Sequence, residues 1–137
     1  MRLTIIHPCI GRRIGAAHRD YIKTWQMEPL PAAVIAGLTP KDITIRFYDD
    51  RLEPIPFDEP TDAVAISVET YTAKRSYQIA SEYRSRKIPV IMGGFHATLC
   101  PDEVEKHDVF VRPFHAGHEL HHNDERVQRG ALAVSNE

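Results

Sequence analysis

The chain has 137 residues, the size of one domain, with 42% hydrophobic and 26% charged residues, close to the soluble globular average. That composition excludes a disordered tail or a fibrous repeat as the main character of the chain, and a net charge of −2 argues against a protein that neutralises nucleic-acid phosphates. No apolar run approaches the roughly 20 residues of a membrane span, and no secretory signal follows Arg2, because His7, Pro8 and Gly11 interrupt the apolar stretch. Two cysteines, Cys9 and Cys100, are too few for a disulfide framework, a zinc site or an iron–sulfur site, so the cytosol is the default compartment.

Leu3 to His7 (LTIIH) is apolar and β-branched and predicts a buried strand, closed by Pro8 and Gly11. A polar loop follows, and Leu30 to Leu38 (LPAAVIAGL) then predicts a helix. Pro31 suits its first turn, and Leu30, Val34, Ile35 and Leu38 are expected to form its buried face. Asp42 to Tyr48 (DITIRFY) alternates with period two, as a strand nearer the sheet edge does. Pro54, Pro56 and Pro60 make the next stretch a loop. Asp62 to Val68 (DAVAISV) and Ile88 to Met92 (IPVIM) are near-continuous apolar runs, the pattern of central strands covered on both faces. Between them Ala73 to Arg86 is helical in composition, with Tyr77, Ala80 and Tyr83 at helical spacing. Pro101 to Lys106 suggests a short helix and Val109 to Val111 a last strand. The alternation implies an α/β fold: a doubly wound, mostly parallel sheet in a Rossmann-like or flavodoxin-like three-layer sandwich.

In such a sheet ligands bind at the carboxyl ends of the strands. Two of those ends are unusual. Gly93-Gly94 follows one buried strand and would let backbone approach a bulky ligand; Ser67 and Thr70 follow another and offer hydroxyls. The alternative for these residues is purely structural, a tight turn at the glycines and a helix cap at Ser67. Asp49-Asp50 is similar to the acidic pair of a phospho-receiver domain, but the third strand ends in Ser67 where that fold has an aspartate.

Ser67-Val68-Glu69 and the run GGFHATLCPDEV resemble the serine and double-glycine signatures of the cobalamin-binding Rossmann-like domain at the N-terminus of cobalamin-dependent radical S-adenosylmethionine proteins. HPCIGRRIG, MEPLPAAVIAGLTP and FYDDRLEPIP are similar to the same group. The resemblance covers residues 1–111 and implies a cobalamin-binding domain without catalytic residues of its own. By that likeness Pro8, Gly11, Ser67, Glu69, Thr70, Gly93, Gly94, His96 and Thr98 line the cofactor pocket. Three departures qualify it. Residue 5 is Ile, so no D-x-H-x-x-G cobalt ligand is formed at His7 and no metal ligand is assigned. No CxxxCxxC is present, so an iron–sulfur cluster is not expected here, and a radical S-adenosylmethionine catalytic domain becomes a possible partner. The glycine-acidic segment expected after the fifth strand is replaced by residues 112–137, a poorly patterned tail with His115, His118, His121 and His122. That change in composition suggests a truncated or altered-frame product. Alternatives to the cobalamin module are a flavodoxin-like nucleotide or flavin binder, and transition-metal binding by the histidine tract.

Overall fold

The computed structural model describes residues 1–10 and 28–107, together with the backbone of Phe110–Val111. Five strands form one sheet: β1 (Arg2–His7), β2 (Thr44–Asp49), β3 (Ala63–Ser67), β4 (Val90–Gly93) and β5 (Phe110–Val111). The helices are α1 (Leu30–Leu38), α2 (Ala73–Ser85), α3 (Phe95–Leu99) and α4 (Pro101–Val104), and a 3-10 turn, Thr70–Thr72, leads into α2. The strand order is β2-β1-β3-β4-β5 and every ladder is parallel. This is the doubly wound order in which the sheet grows one way from β1 to β2 and the other way from β1 to β3, leaving a crevice at that reversal.

The apolar runs are continuous because both faces of the sheet are covered. Val64, Ile66 and Val68 join Ile6, Val90 and Met92 beneath Ile79, Ala80 and Tyr83 of α2 and Val104 of α4. The alternate residues Ala63 and Ala65 join Leu3 and Ile5 against α1 on the other side. Helix, sheet and helix make the three layers. As its alternating pattern implies, β2 lies at an edge, where Thr44, Arg46 and Phe47 are exposed.

The structure differs from expectation at three points. The buried face of α1 is Ala32 with Ile35 and Ala36, whereas Leu30, Val34 and Leu38 are exposed. Small side chains let this helix approach Ala63 and Ala65 closely, and that contact selects the alanine stripe over the larger residues. The second is an addition, α3, in a stretch to which no element was assigned; five residues are too few to show a helical period. Strand limits also shift by one or two residues, β2 starting at Thr44 and β4 at Val90 and ending at Gly93. Gly11, His18 and residues 112–137, including the histidine tract and the tail boundary, lie outside the described residues.

Candidate functional site

The ends of β3 and β4 are joined tightly. Ser67 pairs with Gly93 in register, and the Val68 amide donates to the Gly93 carbonyl at 2.7 Å. The Val68 carbonyl accepts from the His96 amide at 3.1 Å, so the first turn of α3 is fastened to the end of β3. Gly94 makes this possible: its φ is +102°, and a Cβ there would stand 2.8 Å from the Val68 carbonyl oxygen and 3.0 Å from the Val68 nitrogen. Its lack of a side chain thus serves the chain's own close approach, the structural alternative that the sequence also offered for this turn.

Ser67 does not cap the next helix. Its hydroxyl is buried with no hydrogen-bond partner, and it lies 3.4 Å from the place a Gly94 Cβ would take. Turn formation falls to Thr72, whose hydroxyl accepts from the Glu69 amide at 3.0 Å and donates to the Glu69 carbonyl at 3.1 Å. His96 is buried, and its Nδ1 is also without a partner. At Nε2 it meets the Tyr77 hydroxyl at 3.0 Å, and that hydroxyl lies 2.8 Å from Glu103 Oε1. The phenol has a single proton, given to the Glu103 carboxylate, so Nε2–H donates to the phenol oxygen, and Nδ1 makes no hydrogen bond. Burial together with Glu103 pushes the Tyr77 hydroxyl well above its ordinary pKa, and the bonds from Tyr77 and His96 hold Glu103 below its own.

The remaining expected residues divide. Glu69 is half-buried beside this edge, and burial raises its pKa, offset in part by His96. Thr70 is exposed at the start of the 3-10 turn. Thr98 gives its hydroxyl to the Gly94 carbonyl at 3.1 Å, a bond within α3. Pro8 is wholly buried past the end of β1 and packs in the interior. The structure therefore brings Ser67, Gly93, Gly94 and His96 together, with Glu69 alongside.

A second constellation at the same edge was not expected. Asp49 and Asp50, at the end of β2, each engage an arginine. Arg75 of α2 forms a two-pronged, buried ion pair with Asp50 at 2.7 and 2.8 Å, and the Cys9 amide donates to Asp50 at 3.1 Å. Burial opposes ionisation of Asp50, but the bonds from Arg75 and Cys9 outweigh it and keep the carboxyl below its ordinary 3.8. Arg51 pairs likewise with Asp49 at 2.7 and 2.9 Å. His7 lies next to this pair; burial and the Arg51 charge lower its pKa, Asp49 opposing, and its Nδ1 has no partner. The signal for Arg75 was present: it falls on one helical stripe with Ile79 and Tyr83, and an arginine on a buried stripe requires an acid opposite. These pairs explain Asp49-Asp50 as ion-pair acceptors, unlike the acids of a receiver domain.

Among the described residues no helix is long and apolar enough to cross a membrane. No protein-family model matches the chain. No solved structure gives a significant match. Two curated proteins of Chlorobaculum tepidum (strain ATCC 49652 / DSM 12025 / NBRC 103806 / TLS) do match. The chain is 36% identical to its bacteriochlorophyllide d C-8(2)-methyltransferase over 75 residues, 54% of this chain and 17% of that enzyme. It is 35% identical to the bacteriochlorophyllide d C-12(1)-methyltransferase over 81 residues, 58% of this chain and 18% of that enzyme. The chain thus spans less than a fifth of the curated relatives it matches, and what stands is a partial sequence relationship to bacteriochlorophyllide methyltransferases.

Proposed function

We propose that the chain is a cobalamin-binding module of the kind that accompanies a radical S-adenosylmethionine methyltransferase domain. The observation that carries this reading is the orphaned Ser67 hydroxyl, buried at the carboxyl end of β3 within the crevice-forming half of the sheet. A buried hydroxyl without a partner costs about 1–3 kcal/mol, a cost that a ligand's polar group relieves. His96 Nδ1, on the neighbouring connection, is a second unpartnered polar atom. A corrinoid bears many amide side chains, which supply both donors and acceptors, and the two positions suit such a group. The partial identity to methyltransferases supports the same reading.

Ser67 and His96 would hold the cofactor, with Glu69 beside them, while Gly93 and Gly94 fix the two strand ends that carry them. When bound, cobalamin supplies a cobalt able to carry a methyl group. The chain's own part is to bind and orient. The methyltransferase activity, its substrate, the catalytic partner domain and a cytosolic location all belong to this proposal.

The test is reconstitution of the full chain with hydroxocobalamin, followed by desalting and absorbance. Retention of a corrinoid spectrum by the wild type and its loss in Ser67→Ala, with unfolding unchanged, is the expected result. Failure of the wild type to retain the corrinoid overturns the reading. Retention of flavin instead would favour the flavodoxin-like alternative, which shares the strand order.

A further inference from the structure

His96, Cys100 and Glu103 each present a ligand atom within 4.8 Å of the other two. The spacing follows from the chain path. His96 sits in α3, Cys100 ends it and leads into α4, and Glu103 is in the first turn of α4. The Cys100 amide donates to the His96 carbonyl at 2.8 Å, so the thiol is held one helical turn beyond the imidazole. Cys100 is a free, half-buried thiol, His96 is buried and held by its neighbours, and Glu103 is exposed, its carboxylate held by the Tyr77 hydroxyl.

We propose that these three residues bind one divalent cation of the zinc class. The donors are imidazole, thiolate and carboxylate, a mixed nitrogen, sulfur and oxygen set that suits zinc and excludes the hard, all-oxygen preference of magnesium and calcium. His96 Nε2 and Glu103 Oε1 are 3.5 Å apart. Bond lengths of about 2.0–2.2 Å in a tetrahedron place two such ligand atoms about 3.4 Å apart, so this edge is already formed. Cys100 closes the triangle by a rotation of its side chain. On binding, the thiol proton leaves to solvent and the imidazole proton moves from Nε2 to Nδ1, freeing Nε2 for the metal. The Tyr77 hydroxyl then acts on the ligand carboxylate, holding Glu103 as an outer-sphere partner does. Stacking on the His107 ring at 4.0 Å keeps the phenol in place. Three protein ligands leave a fourth position for water or an exogenous ligand. The earlier expectation that two cysteines exclude a zinc site does not apply, because a mixed set needs only one.

This inference shares His96 with the cobalamin reading but does not rest on it, since Cys100 and Glu103 have no part in that reading, and its test uses a different signal. The reduced full chain is titrated with Co2+ alone under anaerobic conditions. A near-ultraviolet thiolate-to-cobalt charge-transfer band saturating at one equivalent, and displaced by Zn2+, is the expected result. The histidine tract contains no thiol and cannot produce that band. Cys100→Ser should abolish it, while Cys9→Ser keeps it. Glu103→Gln, at an exposed position that does not endanger folding, should weaken Co2+ binding at least tenfold, and Tyr77→Phe should weaken it by about tenfold. Absence of the band in the wild type, its survival in Cys100→Ser, or an unchanged affinity in Glu103→Gln would overturn the site.

Discussion

Arg75 and Asp50 illustrate how one residue pair sets conditions for the strand ends. Both side chains are almost fully buried, so neither charge has water to fall back on. Removing one partner of such a pair leaves the other uncompensated, at a cost of about 3–5 kcal/mol. Asp50→Asn should therefore lower the denaturant midpoint by that equivalent, whereas the double replacement Asp50→Leu with Arg75→Met should recover much of the loss. Acid sensitivity follows from the same neighbourhood. Folding lowers the pKa of His7 below its ordinary 6.5, so its contribution to stability is present above that value and fades as pH falls through it. Asp49 and Asp50 are lowered from 3.8, so their contribution is intact above about that pH and is lost below it. The raised pKa of Glu69 acts in the opposite sense, its contribution fading as pH rises. Unfolding measured from pH 7 to 3 should show a shallow decline, then a steep one, and Asp50→Asn should remove much of the steep part. Ser67→Ala belongs at this scale too: deleting an unpartnered hydroxyl should leave stability equal or slightly higher, as unfolding curves would report. Tyr83, its hydroxyl pushed up to about 12 by burial, stays neutral throughout this range.

At the scale of elements, the strands were legible and their connections less so. Period and apolar run length report which faces are covered, and they identified β1, β2, β3 and β4 within a residue or two. Helix α1 was placed correctly but turned wrongly, since hydrophobicity alone cannot tell that a sheet face built on Ala63 and Ala65 prefers Ala32. Leu38→Lys tests that assignment; with the side chain 81% exposed, the change should shift stability by no more than about 0.5 kcal/mol. Ala32→Leu, against the sheet, should cost about 1–3 kcal/mol by overpacking. At the β4–α3 junction the glycine pair was read from sequence as clearance for a ligand or as a tight turn. Its conformational role depends on Val68, a residue 26 positions earlier, and no local pattern discloses such a contact. Gly94→Ala combines a left-handed φ with a backbone clash, so a loss of about 2 kcal/mol or more is expected in ligand-free protein. That variant cannot by itself report on a pocket, which is why Ser67→Ala is the sharper probe.

Across the whole molecule, the parallel sheet and its layered core follow from the order of apolar runs and the length of the crossovers. The site was legible only in part: Ser67, Gly93, Gly94 and His96 lie in motif-bearing strand ends and Glu103 falls in the same GGFHATLCPDEV run, whereas Arg75 and Tyr77 come to the edge from α2 and carry no motif of their own. Strands β1 and β3 each have neighbours on both sides and helices on both faces. Hydrogen exchange should accordingly be slowest at Leu3–Ile6 and Val64–Ile66, and faster at the solvent side of β2. Val68 ends this protected region and is bonded at both its amide and its carbonyl to the β4–α3 connection. Ser67 is thereby fixed before any ligand arrives. A ligand seated there loses its own freedom but asks little ordering of the protein. Association should then proceed in a single kinetic phase, without a slow isomerisation. Discrimination among related ligands would be expressed chiefly in how long each stays.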